Sequence, residues 1–180
     1  QRLPLEIIAD DQDFTQEWLR SGQVLGCVTT LKQALRGCKM VPLGAMRYLA
    51  AATPAFVARF FGDGVGAGSL ALAPSLVFNT KDGLQARWVR RLCHRHVELP
   101  RHTLPSTQAF VTAGLAGMGW GLHPEALIAP HLADGSLVAL LPEQPLDVPL
   151  FWQTARAASG LLDGLTRQMF AAARRELLPP

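Results

Sequence analysis

RHTLPSTQAFVTAGLAGMGWGLHPEA, Arg101 to Ala126, is the stretch on which the reading of the fold turns. It predicts an approach strand, a helix opening on Ser106 and Thr107, a glycine-punctuated strand, and a second helix opening on Pro124. Ser106 is a good helix cap, because its hydroxyl accepts from the unpaired amides of the first turn. The amides left beside it suit a small anion such as a carboxylate. Gly117, Gly119 and Gly121 alternate through a short apolar segment, where missing side chains let the backbone of a neighbour or a ligand come close. The same residues also describe a plain packed helix-to-strand turn, so the segment points to a binder before a catalyst.

Upstream of this stretch, Ser75 to Phe78 reads as a short buried strand leading into a second strand-to-helix junction at NTKDGLQARWVRRLCHRH. Arg87, Arg90, Arg91 and Arg95, with His94 and His96, concentrate positive charge there, and such a patch attracts nucleic acid. Arg87, Arg91 and Arg95 nevertheless keep a helical step while Trp88 and Leu92 mark the apolar face, so a solvated helix face is the preferred reading. Downstream, a helix is expected from Pro124 to about Leu132. A turn at Asp134 and Gly135, the strand SLVALL and a strand in PLDVPLFWQTAR follow. The final helix spans Leu161 to Leu177, with Leu162, Leu165, Met169, Ala173 and Leu177 as one buried stripe.

At the amino terminus, PLEIIA (Pro4 to Ala9) is rich in branched residues and predicts a strand, ended by an acidic turn from Asp10 to Asp13. A short helix in DFTQEWLRSG, capped by Asp11 or Asp13 and stopped at Gly22, leads to the strand QVLGCVTT, ending at Thr29 and Thr30. Strand, short helix, strand implies a parallel sheet. LKQALRGCKM is a polar connection, and VPLGAMRYLAAAT is an apolar run long enough to bridge two lobes. Pro54 starts a helix with Phe56 and Phe60 one turn apart. The glycines at 62, 64, 66 and 68 then make a flexible loop that matches neither the dinucleotide fingerprint nor a P-loop.

The fold class is α/β, with strand ends at Asp10, Thr30, Asn79, Ser106 and Trp152. In open α/β sheets ligands sit beyond the carboxyl ends of strands, and small hydroxyls and acids cluster at these ones. The long runs near residues 43–53 and 146–155 imply that the chain leaves one lobe, builds a second and returns. The expected boundaries are lobe I at 1–47, lobe II at 48–147 and the return of lobe I at 148–180, with a cleft between.

With 180 residues, 49% of them hydrophobic, the chain supports one conventional core or two small lobes. No apolar run reaches the roughly eighteen residues of a membrane span, and QRLPLEIIADDQD is no signal peptide. Cys27, Cys38 and Cys93 are odd in number and lack metal spacing, so reduced thiols in a cytoplasmic protein are expected, with no metal. Seventeen Lys plus Arg against fourteen Asp plus Glu give a mild +3. No Gly-x-Ser-x-Gly elbow, His-Glu-x-x-His or paired cysteine and histidine occurs, and the five histidines are scattered. His123 reads as a residue leading into the next helix. An enzyme is not expected, and neither is a cofactor.

ADDQDFTQEWLRSGQVLGCVTT, LGAMRYLAAATPAFVARFFGDGV and PSTQAFVTAGLAGMGWGLHP together resemble the effector-binding domain of LysR-type transcriptional regulators. Within them the chain is most similar to the subgroup that senses basic amino acids, known as ArgP (IciA) and LysG. TQEWLRSGQVLG, PAFVARFFGDGV and STQAFV carry the subgroup likeness, and GMGWGLHP the general one. The resemblance implies a fold like that of type 2 periplasmic binding proteins: two Rossmann-like lobes joined by two crossover strands, with a small effector held between them. It places the effector site on Thr29 and Thr30, on the turn from Asn79 to Asp82, and on Ser106 and Thr107. For lysine or arginine, the carboxylate would meet Ser106 and Thr107, the cationic end would meet Asp10, Asp11 or Asp82, and Trp152 would line the cleft or offer a ring face. Each acid has an alternative role at a helix start.

Nothing here matches the winged helix-turn-helix of that family, so promoter DNA is expected to be a partner only through it, and the intact regulator is expected to be a homodimer or homotetramer. The family domain begins one strand and one helix earlier. The expectation is therefore a fragment whose first lobe lacks its first strand and helix, leaving an unpaired edge or borrowing a strand. A solute-binding protein of the same fold is the main alternative, and an α/β enzyme a second.

Overall fold

The apolar run at 41–53 folds as most of β2 (Cys38–Ala52), a strand of 15 residues that passes from one compact unit of the chain into another. A second long strand, β7 (Leu146–Ala155), passes back. In the computed structural model, which describes residues 4–10 and 13–179, these units comprise Gln1–Ala45 with Pro149–Pro180, and Met46–Val148. The larger sheet has the order β1-β7-β2-β5, with β6 also on β2, where β1 is Gly26–Thr29, β5 Gly121–Pro124 and β6 Val138–Ala139. A separate parallel pair joins β3 (Ser75–Val77) to β4 (Arg101–Thr103).

In the first unit, β1 runs antiparallel to β7, with Val28 opposite Trp152 and Thr29 opposite Phe151. The Trp152 ring lies so close over Gly26 that a Cβ there would meet it at 2.7 Å, so only glycine lets the indole cover this strand. Its Nε1 donates to Thr166 Oγ1 at 2.9 Å and ties α7 (Ser159–Glu176) to the sheet. The short helix α1 (Gln16–Arg20) is held by the Thr15 hydroxyl, which donates to the Val28 carbonyl at 2.6 Å.

Several expectations change here. PLEIIA is not a strand: residues 4–9 pair with none of the described strands, and Leu5, Ile7 and Ile8 stand 55%, 85% and 40% exposed. Branched residues favour extended backbone, but a strand also needs a neighbour to take its amides and carbonyls. The local parallel sheet is absent for the same reason, because β1 finds its partner in β7, from the far end of the chain. The cap of α1 is Thr15; Asp13 accepts from Thr30 instead, and Asp11 lies outside the described residues. In α7, Leu162 and Ala173 are buried, whereas Leu165, Met169 and Leu177 are half-buried.

In the second unit, β3 is buried along its whole length, as its apolar brevity implies. Ser75 N donates to Pro100 O and Leu76 N to Trp120 O, both at 2.7 Å, so β4 flanks β3 on one side and the approach to β5 on the other. β5 and β6 run antiparallel to β2. Helix α2 (Pro54–Phe60) starts on Thr53, whose hydroxyl accepts from Phe56 N. The glycine loop is shorter than expected, because Gly66 caps a further helix, α3 (Ala67–Leu72), with Ser69 Oγ accepting from Gly66 N at 3.0 Å. Cys38 to Met40 belong to β2 rather than to a polar connection, and β6 keeps only two residues of SLVALL.

Helices α4 (Leu84–Cys93), α5 (Thr107–Leu115) and α6 (Glu125–Ala133) complete the unit. Leu76, Phe110 and Ala113 form one core cluster, and Leu49, Ala51, Ile128 and Leu137 another. Alternating glycines make the close contacts: a Cβ on Gly119 would lie 2.7 Å from the Pro74 carbonyl oxygen, and one on Gly121 would lie 2.9 Å from the Phe110 ring. The neighbours that these glycines admit are thus the chain's own residues. Gly119→Ala is expected to cost about 1–3 kcal/mol in urea unfolding, since the obstacle is backbone. Gly164→Ala, at an exposed position inside α7 where a Cβ meets nothing within 4 Å, should not lower stability. Equal midpoints for the two variants would refute the packing account.

Candidate functional site

Val77 and Thr103 lie opposite each other in the parallel pair of β3 and β4, so the residues that follow them leave the sheet at the same end. From β3 the chain enters the Asn79–Asp82 turn, and from β4 it reaches Ser106 and α5. Leu104 N donates to Val77 O at 2.9 Å and Ser106 N to Leu104 O at 2.8 Å, which carries the pairing to the start of the helix. Two of the expected site segments are thereby brought together beyond the carboxyl ends of adjacent strands, the usual place for ligands in an α/β sheet.

Ser106 caps α5 with its hydroxyl accepting from Ala109 N at 3.3 Å, and both Ser106 and Thr107 are exposed. The amides of Thr107 and Gln108 belong to the first helical turn, which has no carbonyls one turn earlier to take them. Exposed residues at the positive end of a helix whose first amides lack intrahelical acceptors make an anion-compatible surface.

The acidic candidates are otherwise engaged. Asp82 uses one carboxylate oxygen to accept from Phe78 N at 2.8 Å and the other to accept from Leu84 N at 3.0 Å. Asn79 Oδ1 accepts from Lys81 N and Asp82 N, at 2.7 and 3.0 Å. Both side chains thus hold the turn that starts α4, the helix-start role left open by the sequence.

In the first unit, Asp10 accepts from Trp18 Nε1 at 2.9 Å. Thr29 is fully buried, and its hydroxyl oxygen accepts from Leu31 N at 3.2 Å. The half-buried Thr30 hydroxyl donates to Asp13, a partner that the sequence reading considered only as a cap. Trp152 is 6% exposed with its N–H committed to Thr166, the position of a core side chain.

His123 is the residue whose role sequence reasoning missed. It does precede α6, but it sits inside β5, fully buried, with neither ring nitrogen hydrogen-bonded. Its ring meets Phe110 edge-on at 4.9 Å between centroids, and a Cβ on Gly114 would lie 3.2 Å from it. Burial alone pushes its pKa down to about 4, so the ring is a neutral spacer between β5 and α5. The one available signal was Gly114, a small residue on the helix face turned toward that strand.

Other chemistry is not assembled. Among the described residues no group of His, Cys, Asp or Glu could hold a metal ion, and no helix is long and apolar enough to cross a membrane. All three cysteines are free, and burial raises the Cys27 thiol to about 11, which keeps it protonated and poorly nucleophilic.

The family model of the LysR substrate binding domain matches residues 1–177. The chain belongs to that family. It is 43% identical over 169 residues to the HTH-type transcriptional regulator LysG of Mycobacterium bovis, an alignment covering 94% of this chain and 55% of that protein. The crystal structure of ArgP from Mycobacterium tuberculosis superimposes with a TM-score of 0.90 at 41% identity, over 97% of this chain and 60% of that one. Full-length LysG from Corynebacterium glutamicum with bound effector Arg gives a TM-score of 0.80 at 38% identity, over 94% and 58% of the two chains. The LysR-type fold expected from the sequence is therefore present, with the ArgP and LysG regulators as relatives. The chain spans little more than half the length of those relatives.

Within this LysR-type domain, His123 makes stability depend on pH. The unfolded ring takes up a proton near 6.5, whereas the folded one resists until about 4. The unfolded state therefore binds more protons between those limits, and stability, full above about 6.5, is lost as pH falls through the window, by about 3 kcal/mol in total. Urea unfolding at pH 7 and pH 5 should show a smaller loss for His123→Leu than for wild type. An identical loss would mean that His123 is not the titrating group.

Proposed function

We propose that this chain is the effector-sensing part of a LysR-type transcriptional regulator and that its effector is a basic amino acid, lysine or arginine. The observation that carries this reading is the exposed start of α5, where Ser106, Thr107 and the first-turn amides stand beyond the end of β4. An α-carboxylate there would gain charge-assisted hydrogen bonds worth roughly 1.5–3 kcal/mol each. The Asn79–Asp82 turn, leaving the same end of the parallel pair, shapes the neighbouring wall. Thr29, Thr30, Asp10 and Trp152 are the further effector residues of this reading, and the lobes are those expected at 1–47 with 148–180 and at 48–147. The relatives' names, and the arginine bound to the LysG structure, support a basic amino acid as the class of effector.

In the intact regulator, effector occupancy would favour one of two arrangements of the domain and so change how the DNA-binding heads engage a promoter. The regulator is proposed to act in the cytoplasm as a homodimer or homotetramer.

Titration calorimetry with lysine, arginine and norleucine, which keeps the carboxylate but lacks the cationic end, tests the reading. Heat is expected from at least one basic amino acid and not from norleucine. Ser106→Ala should weaken binding about tenfold, the equivalent of one such hydrogen bond. No heat from either basic amino acid would overturn the effector assignment, and turnover of one would reinstate an enzyme.

A further inference from the structure

Helix α4 divides its charges sharply from its core. Gln85, Trp88 and Val89 are each no more than 1% exposed. Trp88 Nε1 donates to the Gln144 carbonyl and Gln85 Nε2 to the Leu76 carbonyl, both at 2.7 Å, and the Trp88 ring rests against Trp120. On the opposite side Arg87, Arg90 and Arg91 are exposed, within about 100° of arc by helical geometry. The chain then leaves through His94, which ends the helix in the left-handed conformation, and through Arg95 and His96, all exposed.

One acid meets it from another element: Asp147 on β7, already paired with Arg47, also feels the charge of Arg91. Helix α4 contains none, and the next acid in the chain, Glu98, extends from the following loop beside His96. The stretch from Leu84 to Glu98 carries an excess of three positive charges, as large as that of the whole chain. Arginines three and four residues apart repel one another. The helix dipole favours cations only in the last turn, which leaves Arg87 without that compensation. Arg91 has a structural duty, donating to the carbonyls of Gln144 and Pro145 at 3.1 and 2.6 Å. No hydrogen bond or ion pair among the described residues holds Arg87, Arg90 or Arg95.

We propose that this face of α4 contacts the phosphate backbone of duplex DNA. A rigid helix presenting several guanidinium groups and no lysine suits phosphate, which arginine binds through a planar fork. The relatives are regulators that act on DNA, so a duplex is the polyanion within reach of such a domain. The proposed contact is to phosphate, which positions the domain on the duplex without reading its sequence. It does not depend on the amino-acid reading.

Fluorescence anisotropy of a labelled duplex of random sequence, titrated with this chain in the absence of amino acids, tests the proposal. Binding is expected at low salt, with affinity falling as salt rises at a logarithmic slope of about −3 for three phosphates neutralised. The triple variant R87Q/R90Q/R95Q should flatten that slope toward zero. The variant R167Q/R174Q/R175Q, which removes the same charge from exposed positions on α7, should leave it unchanged. Circular dichroism checks the fold, and if the triple variant unfolds, single R87Q and R90Q changes should each lower the slope by about one. Absence of binding at low salt, or equal loss in both triple variants, overturns the proposal. Competition by poly-glutamate as strong as by DNA also overturns it, in favour of an acidic protein surface.

Discussion

Leu76 is the residue through which the second unit is held together. Its amide donates to Trp120 O and its carbonyl accepts from the Gln85 side chain, so one buried residue ties β3 to the approach of β5 and to α4. A backbone group buried without a partner costs free energy comparable to a lost hydrogen bond, which makes these connections obligatory. Because β3 is clamped in this way, its parallel neighbour β4 ends beside it, and α5 starts from a fixed place. The anion-compatible helix start, the Asn79–Asp82 turn and the seating of α4 all follow from that one strand.

Polar side chains in this domain divide between those that build turns and those left to meet something else. Asp82, Asn79, Asp10 and Thr30 already have internal partners, and their hydrogen bonds hold local geometry. The bidentate pair of Arg47 with Asp147, at 2.8 and 2.9 Å, links β2 to β7 and holds the Asp147 carboxyl below its usual range. Thr107 at the start of α5, and Arg87 and Arg90 on α4, are instead exposed. Surface hydroxyls at a helix start and unbalanced guanidinium groups both favour anions, yet one surface suits a single carboxylate and the other a row of phosphates.

The order of elements from Ser75 onward was legible because each has a strong local cue. Ser106 caps α5, Pro124 precedes α6, and Trp88 with the arginines shows the two faces of α4. The family was legible from longer segments, since their combination of residues is far more specific than any single motif. PLEIIA failed because branched residues indicate backbone preference and say nothing of a partner strand. Trp152 read from the sequence as a residue that lines the cleft or offers a ring face; its place over Gly26 depends on a residue more than a hundred positions away. For His123 the sequence offered only Gly114, since the setting of its ring is a property of Phe110, Gly114 and Gly121 around it.

The sequence by itself determined the α/β class, the two long crossing strands, the capped helix at Ser106 and the likeness to LysR-type domains. These follow from periodicity, capping and residue patterns that act over a few neighbouring positions. Only the tertiary structure decided that β1 pairs antiparallel with β7, that Asp82 accepts from Phe78 N and Leu84 N and Asp10 from the Trp18 indole, and that His123 is buried and neutral. Each of those outcomes rests on burial or pairing between distant parts of the chain, and short-range propensity carries no record of it.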